Sequence, residues 1–214
     1  MRKILIFDVE CLGNRPSSVV LDIAAIIVDF DSNFTFSSLL KDGALFYRKL
    51  DVKDGQEKRT VDLSTLDWWK GQSSEAKAVL KKSPHDVHIS KAMLDFKDFL
   101  EQNNFSLKYD LAYCRGQSYD FPIIADIVHG LFDTWGLGYS MFPCAFWNQR
   151  DIRTAIAHTM LSLDLRKLPV AKGTFEGFVK HNSIHDCCKD AVLLKTAVNY
   201  AKGVLEIPEE YDLI

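Results

Sequence analysis

The first apolar run of the chain, Ile4-Leu5-Ile6-Phe7, shows no alternation and stops at Asp8-Val9-Glu10. A continuous run of this length predicts a strand buried on both faces, from Lys3 to Glu10. Val19 to Phe30, rich in Val and Ile, predicts a long second strand, with an acidic turn over Asp29-Phe30-Asp31-Ser32-Asn33. A third strand is expected from Ala44 to Leu50, and the charged stretch from Asp51 to Arg59 reads as an exposed loop. Ser64 ahead of Leu66, Trp68 and Trp69 predicts a capped helix, followed by another from Ser73 to Leu80. Met93, Leu94, Phe96, Phe99 and Leu100 recur at helical spacing behind Ser90, the expected cap. Leu107 to Cys114 reads as a strand, Arg115 to Ser118 as a turn, and Phe121 to Leu131 as a helix whose Pro122 fits a first turn. Gly130 to Pro143 is a looser connection and Cys144 to Trp147 a short strand. Two last helices span Asp151 to Leu161 and Ala191 to Ala201, and an acidic tail follows Pro208. This order predicts an α/β fold, a mixed central sheet flanked by helices, in one domain over residues 1–214.

Composition narrows the classes only a little. A chain of 214 residues with 47% hydrophobic and 26% charged residues suits one soluble globular core. Twenty-six basic against 29 acidic residues, a net charge of -3, argue against a broadly basic nucleic-acid binder. They leave room for a nuclease, because an acidic metal cluster would offset a local basic groove. The five cysteines are odd in number and lack Cys-X-X-Cys, as expected of reduced thiols in a cytoplasmic protein. The apolar run before Asp8 is too short for a secretory signal, no run approaches a membrane span, and no patch for a protein partner is readable.

Three stretches carry candidate chemistry. Residues two apart on a strand share a face, so Asp8 and Glu10 project together, as hard oxygen donors suited to Mg²⁺ or Mn²⁺. A plain strand end with solvated acids is the competing reading. Asp120 opens a predicted helix, as an N-cap or as a ligand at the sheet edge where sites gather. His181-Asn182-Ser183-Ile184-His185-Asp186-Cys187-Cys188-Lys189-Asp190 contains His-X4-Asp twice. Ala191, Leu194 and Val198 at helical spacing put Asp190 inside the regular helix, as a solvated or capping charge. That favours His181 on a loop as a neutral base and Asp186 in the first turn as a ligand.

Asp-X-Glu closing a first strand, a later Asp opening a helix, and His-X4-Asp before the last helix together resemble the DEDDh exonucleases. These are DnaQ-like and RNase T-like 3′→5′ nucleases of the ribonuclease H-like fold. Trp68-Trp69-Lys70-X-Gln72-Ser73, Cys114-Arg115-Gly116-X-Ser118-X-Asp120-Phe121-Pro122-Ile123, Phe146-Trp147-Asn148-Gln149-Arg150-Asp151-Ile152-Arg153-Thr154 and Ser183-Ile184-His185-Asp186-Cys187 extend the likeness over nearly the whole chain, to the exonucleases of T-even-type bacteriophages. Proofreading-type members often carry Asn four residues before the second-motif Asp, where this chain has Gly116.

The resemblance implies that Asp8, Glu10 and Asp186 hold one ion, that Asp8 and Asp120 hold a second, and that His181 is the general base. It implies digestion of single-stranded nucleic acid from 3′ ends to nucleoside 5′-monophosphates in the host cytoplasm, with DNA and oligonucleotides ahead of RNA. Leu12 and Gly13 are then expected against the terminal nucleotide, with Tyr119 as a further substrate contact. Arg150 and Arg153, read as sharing a helical face, are expected at phosphates, whereas Lys70, Lys77, Lys81 and Lys82 suit a solvated face. Of Trp68 and Trp69, one is expected in the core and at most one exposed for base stacking; Trp147 is expected in the core. His85, His88, His129 and His158 carry no motif.

Three rivals remain. A zinc module would use His181, His185, Cys187 and Cys188, but adjacent cysteines lack the usual ligand spacing. A phosphatase of the haloacid-dehalogenase type needs Asp-X-Asp where this chain has Asp8-Val9-Glu10. A non-catalytic nucleic-acid-binding module has no need to keep all five acidic and histidine positions.

Overall fold

The computed structural model describes residues 3–133, 138–162, 165 and 167–214. Its main sheet contains β1 (Lys3–Cys11), β2 (Val20–Asp29), β3 (Ala44–Lys49), β4 (Leu111–Cys114) and β5 (Gln149–Asp151), in the spatial order β3-β2-β1-β4-β5. β2 is antiparallel to both β1 and β3, while β4 and β5 continue the sheet in parallel. The helices are α1 (Phe36–Asp42), α2 (Leu63–Lys70), α3 (Ile89–Gln102), α4 (Asp120–Phe132), α5 (Ile152–Thr159) and α6 (Ser183–Ala201). A two-stranded ribbon pairs β6 (Pro169–Ala171) with β7 (Tyr211–Leu213).

The central strand is apolar because both its faces are covered. Leu5, Phe7, Val9 and Cys11 pack with Met93 and Phe96 of α3 and with Phe121 and Ile124 of α4. Ile4 and Ile6 face the opposite layer, with Ile152 of α5 and Cys187, Ala191 and Leu194 of α6. Burial of each such side chain contributes about 1.5–3 kcal/mol, so β1 anchors both layers. The two-residue period then sends Asp8 and Glu10 to the α6 side. All five cysteines are buried free thiols, and no helix among the described residues is long and apolar enough to cross a membrane.

Several expectations shift. The strand expected over Leu107–Cys114 begins only at Leu111, because Ser106 and Asp110 close a turn: the Ser106 N–H donates to Asp110 Oδ2 at 2.7 Å. The strand expected over Cys144–Trp147 is a 3₁₀ turn at Phe146–Asn148, and the paired strand lies just beyond it in the polar Gln149–Asp151. Trp147 is 50% exposed instead of core, edge-on to an exposed Phe146. Ser64 lies within α2, whose cap position is Asp62, and His88 rather than Ser90 caps α3, its side chain accepting the Ser90 N–H. The stretch Ser73–Leu80 contains only a 3₁₀ turn, Ala76–Leu80. α6 begins at Ser183, eight residues before the apolar period becomes legible. α1 and the β6–β7 ribbon show no clear pattern in the sequence, the former being a capped helix of seven residues and the latter two strands of three residues each. Of the looser connection expected over 130–143, residues 134–137 lie outside the described residues.

Candidate active site

Three element ends meet at one edge of the sheet. β1 supplies Asp8 and Glu10, α4 supplies Asp120 as its first residue, and α6 supplies Asp186 in its first turn. The Asn182 side chain caps α6 by accepting the His185 N–H, which fixes where that first turn begins. His181 stands just before the cap with φ of 61°, a left-handed conformation that is uncommon outside glycine. Its backbone N–H donates to Asp186 Oδ2 at 3.0 Å, and its ring Nδ1 is 3.8 Å from Glu10 Oε1. Ligand atoms of Glu10, His181 and Asp186 lie within 4.8 Å of one another. The second Asp186 oxygen accepts from Lys189 Nζ at 2.6 Å, and that ammonium sits 4.5 Å above the Phe178 ring.

The acids oppose one another. Burial first, then repulsion from Asp120, Glu10 and Asp186, holds the Asp8 carboxyl well above the ordinary range. Glu10 is pushed up to about 9, by burial and then by Asp22, Asp186 and Asp120. Asp120, 2% exposed, is pushed up to about 7 by burial, eased by the Cys114 thiol and the Val9 N–H. Such a set ionises together only with added positive charge, and its donors are hard oxygens. These residues fit divalent ions of the Mg²⁺ or Mn²⁺ kind. Burial holds the His181 imidazole below its ordinary range, so it is neutral near pH 7 and able to accept a proton.

The other His-X4-Asp pair goes elsewhere. His185 Nδ1 accepts the Val179 N–H at 3.0 Å, and its ring packs edge-on to Phe36. Asp190 is not a solvated charge but 3% exposed, because it lies one turn beyond Asp186 on the inward face of α6. Arg115 grips it through Nε at 2.8 Å and Nη2 at 2.6 Å.

Among the expected substrate contacts, Leu12, Gly13 and Tyr119 come together. The Tyr119 hydroxyl donates to the Gly13 carbonyl at 3.0 Å, and Leu12 packs beside Trp69. A Cβ at Gly13 would stand 2.6 Å from Ser18 Oγ and 2.9 Å from Asp62 Oδ2, so any side chain there would have to displace both. Gly116 has φ of 146° and accepts the Tyr119 and Asp120 N–H groups, which starts α4. A Cβ there would lie 3.5 Å from Asp120 Oδ2 and 3.9 Å from Arg153 Nη1, so Arg153 reaches the edge of the acidic site. Arg150 shares no helical face with it. Arg150 lies on β5, donates to the Trp147 and Gln149 carbonyls, and lines a groove with Ile4 and Leu111 at the opposite ends of the strands.

One carboxylate was not singled out from the sequence. Asp22 lies opposite Glu10 in the β1–β2 register, 3% exposed, with Oδ1 lacking a well-formed hydrogen bond. Burial pushes it up to about 6, although the nearby Ser183 hydroxyl eases the charge. Its signal was a lone acid inside the apolar run Val19-Val20-Leu21-Asp22-Ile23-Ala24.

A family model described as a 3′-5′ exoribonuclease Rv2179c-like domain matches residues 3–198. The exodeoxyribonuclease of enterobacteria phage T4 is 37% identical over 213 residues, covering 96% of this chain and 93% of the phage protein. Among solved structures, cell-death related nuclease 4 is similar with a TM-score of 0.55 at 14% identity, over 93% of this chain and 64% of that one. E. coli exonuclease I in complex with a dA16 oligonucleotide gives 0.52 at 13% identity, over 94% of this chain and 43% of that one. At those identities the two structures speak for the ribonuclease H-like fold alone, and this chain spans less than two thirds of either. The full-length phage likeness and the family match carry the assignment: the chain belongs to the Rv2179c-like family of 3′-5′ exonucleases.

Proposed function

We propose that this chain is one metal-dependent exonuclease domain that shortens single-stranded nucleic acid from its 3′ end and releases nucleoside 5′-monophosphates. The observation that carries the reading is the convergence of Glu10, His181 and Asp186 with Asp8 and Asp120. Asp8, Glu10 and Asp186 would hold one Mg²⁺ or Mn²⁺, and Asp8 with Asp120 a second. Two such ions, when bound, activate the attacking water and stabilise the leaving 3′ oxygen. The neutral His181 ring takes the proton of that water, and the imidazolium so formed is stabilised by Glu10 and Asp186 beside it. Leu12, Gly13 and Tyr119 form a wall for the terminal nucleoside, and Arg153 offers charge to a phosphate.

DNA and oligonucleotides are the favoured substrates, supported by the phage relative, which is named an exodeoxyribonuclease. RNA is the second reading, supported by the exoribonuclease description of the family. The phage likeness also supports action in the cytoplasm of an infected bacterium. The test is progressive shortening of 5′-labelled DNA and RNA single strands, side by side, with Mg²⁺ or Mn²⁺ and in chelator. Activity on a circular strand, or undiminished digestion of a strand with a blocked 3′ end, would overturn the polarity.

A further inference from the structure

The Trp68-Trp69 pair joins the two halves of the acidic site. Trp69 is 1% exposed, and its Nε1–H donates at 3.0 Å to the carbonyl of Cys11, the residue after Glu10. Successive helical residues point about 100° apart, so burying Trp69 turns Trp68 outward. Trp68 is 43% exposed, yet its ring is not loose. It stands edge-on to Trp69 at 5.0 Å and edge-on to the His181 imidazole at 4.7 Å, with an interplanar angle of 76°. Trp69 reaches the same imidazole at 6.4 Å.

The backbone of His181 is fixed by its N–H bond to Asp186, but that bond leaves both side-chain torsions free. The nearest carboxylate oxygen, at 3.8 Å, is beyond hydrogen-bond range, and among the described residues no hydrogen bond holds the ring. What restricts it is the aromatic edge of α2. A general base must come within about 3 Å of the proton it takes, and a misplacement of about 1 Å can cost about 100-fold in rate.

We infer that Trp68 is a positioning residue for His181: by packing against the imidazole it selects the rotamer that addresses the reacting water. The inference rests on the general-base role proposed for His181. Trp69 carries that restraint back to the strand end that bears Glu10, so base and carboxylate move as one unit.

The experiment is a double-mutant cycle, with steady-state rates measured on a single-stranded oligonucleotide in Mn²⁺. Trp68→Ala is expected to lower kcat about tenfold, the upper range for losing an edge-to-face aromatic pair, with KM nearly unchanged. Trp68→Phe, which keeps an aromatic edge, should recover most of that loss. In the His181→Ala background, Trp68→Ala should leave kcat nearly unaltered, because the group it positions is gone. A loss that repeats in that background, or one that falls on KM alone, overturns the inference and assigns Trp68 to base stacking or to the fold. If His181→Ala alone keeps the parental kcat, the base role itself falls, and the inference with it.

Discussion

Two His-X4-Asp pairs run through the same ten residues, and the fold uses them in opposite ways. His181 lies ahead of the helix cap in a left-handed conformation, its ring between Trp68 and Glu10. His185 lies inside the helix, its ring committed to the Val179 N–H and to Phe36. Asp186 keeps one face toward the acidic site, whereas Asp190 is buried and gripped by Arg115. Spacing alone does not separate the pairs, but the helix start does. The pair that straddles the cap can present a base and a ligand to one point. The pair within the helix is drawn inward as packing and as a counter-charge.

The largest expected effect breaks the comparison at its histidines. His181→Ala should lower turnover by about 10²–10⁴, the range for losing a general base. His185→Ala should leave turnover close to the parent while lowering the melting temperature, since a backbone N–H loses its acceptor. The reverse ranking in steady-state kinetics would move the site to the second pair.

The aspartates sharpen it next. Arg115→Ala strands the buried Asp190 charge and should cost about 3 kcal/mol of stability, the lower range for breaking a buried pair. In a chain of this size that is a fall of about 6–12 °C in Tm by calorimetry. Asp186→Asn should instead abolish metal-dependent cleavage while melting near the parent. A mild Arg115→Ala variant would mean that Asp190 is not held as the geometry indicates.

A smaller effect separates ligands from structural acids. Asp8→Asn removes repulsion from the cluster, so in chelator it should melt no lower than the parent. With Mn²⁺ it should gain less than the parent and show no nuclease activity. A melt well below the parent in chelator would make Asp8 a structural acid like Asp190.

The last test needs no substitution and reads the same crowding through pH. Glu10 has an ordinary value of 4.5 and about 9 in the fold, so between these limits the folded chain binds more protons than the unfolded one. Stability of the chelated protein is therefore expected to fall as pH rises from about 5 to 9. Saturating Mn²⁺ should flatten the slope. A chelated protein whose melting temperature rises across that window would contradict the crowding of these carboxylates.

The sheet and the acidic motifs were legible for simple reasons. An unbroken apolar run has few outcomes other than a strand buried on both faces, and two-residue periodicity then fixes the shared direction of Asp8 and Glu10. Gln149–Asp151 was not legible because a short polar edge strand has no apolar pattern. Asp190 was misjudged because the inward face of α6 depends on Arg115, 75 residues away in the chain. The same holds for Trp147: its neighbourhood is set by the turn before β5, not by its own hydrophobicity. Trp68 and Trp69 divided as helical geometry requires, but that the outer ring would meet a histidine was beyond any local pattern.

The conformation of Gly116 has a consequence for engineering. Importing the asparagine that many proofreading enzymes carry at this place looks like a conservative graft between relatives. Here the backbone at φ of 146° strains any L side chain, even though the new Cβ would meet the Asp120 carboxylate only at ordinary contact distance. The graft would therefore force the loop ahead of Asp120 out of the shape it has here. A workable graft has to replace the whole strand-to-helix turn, not a single letter.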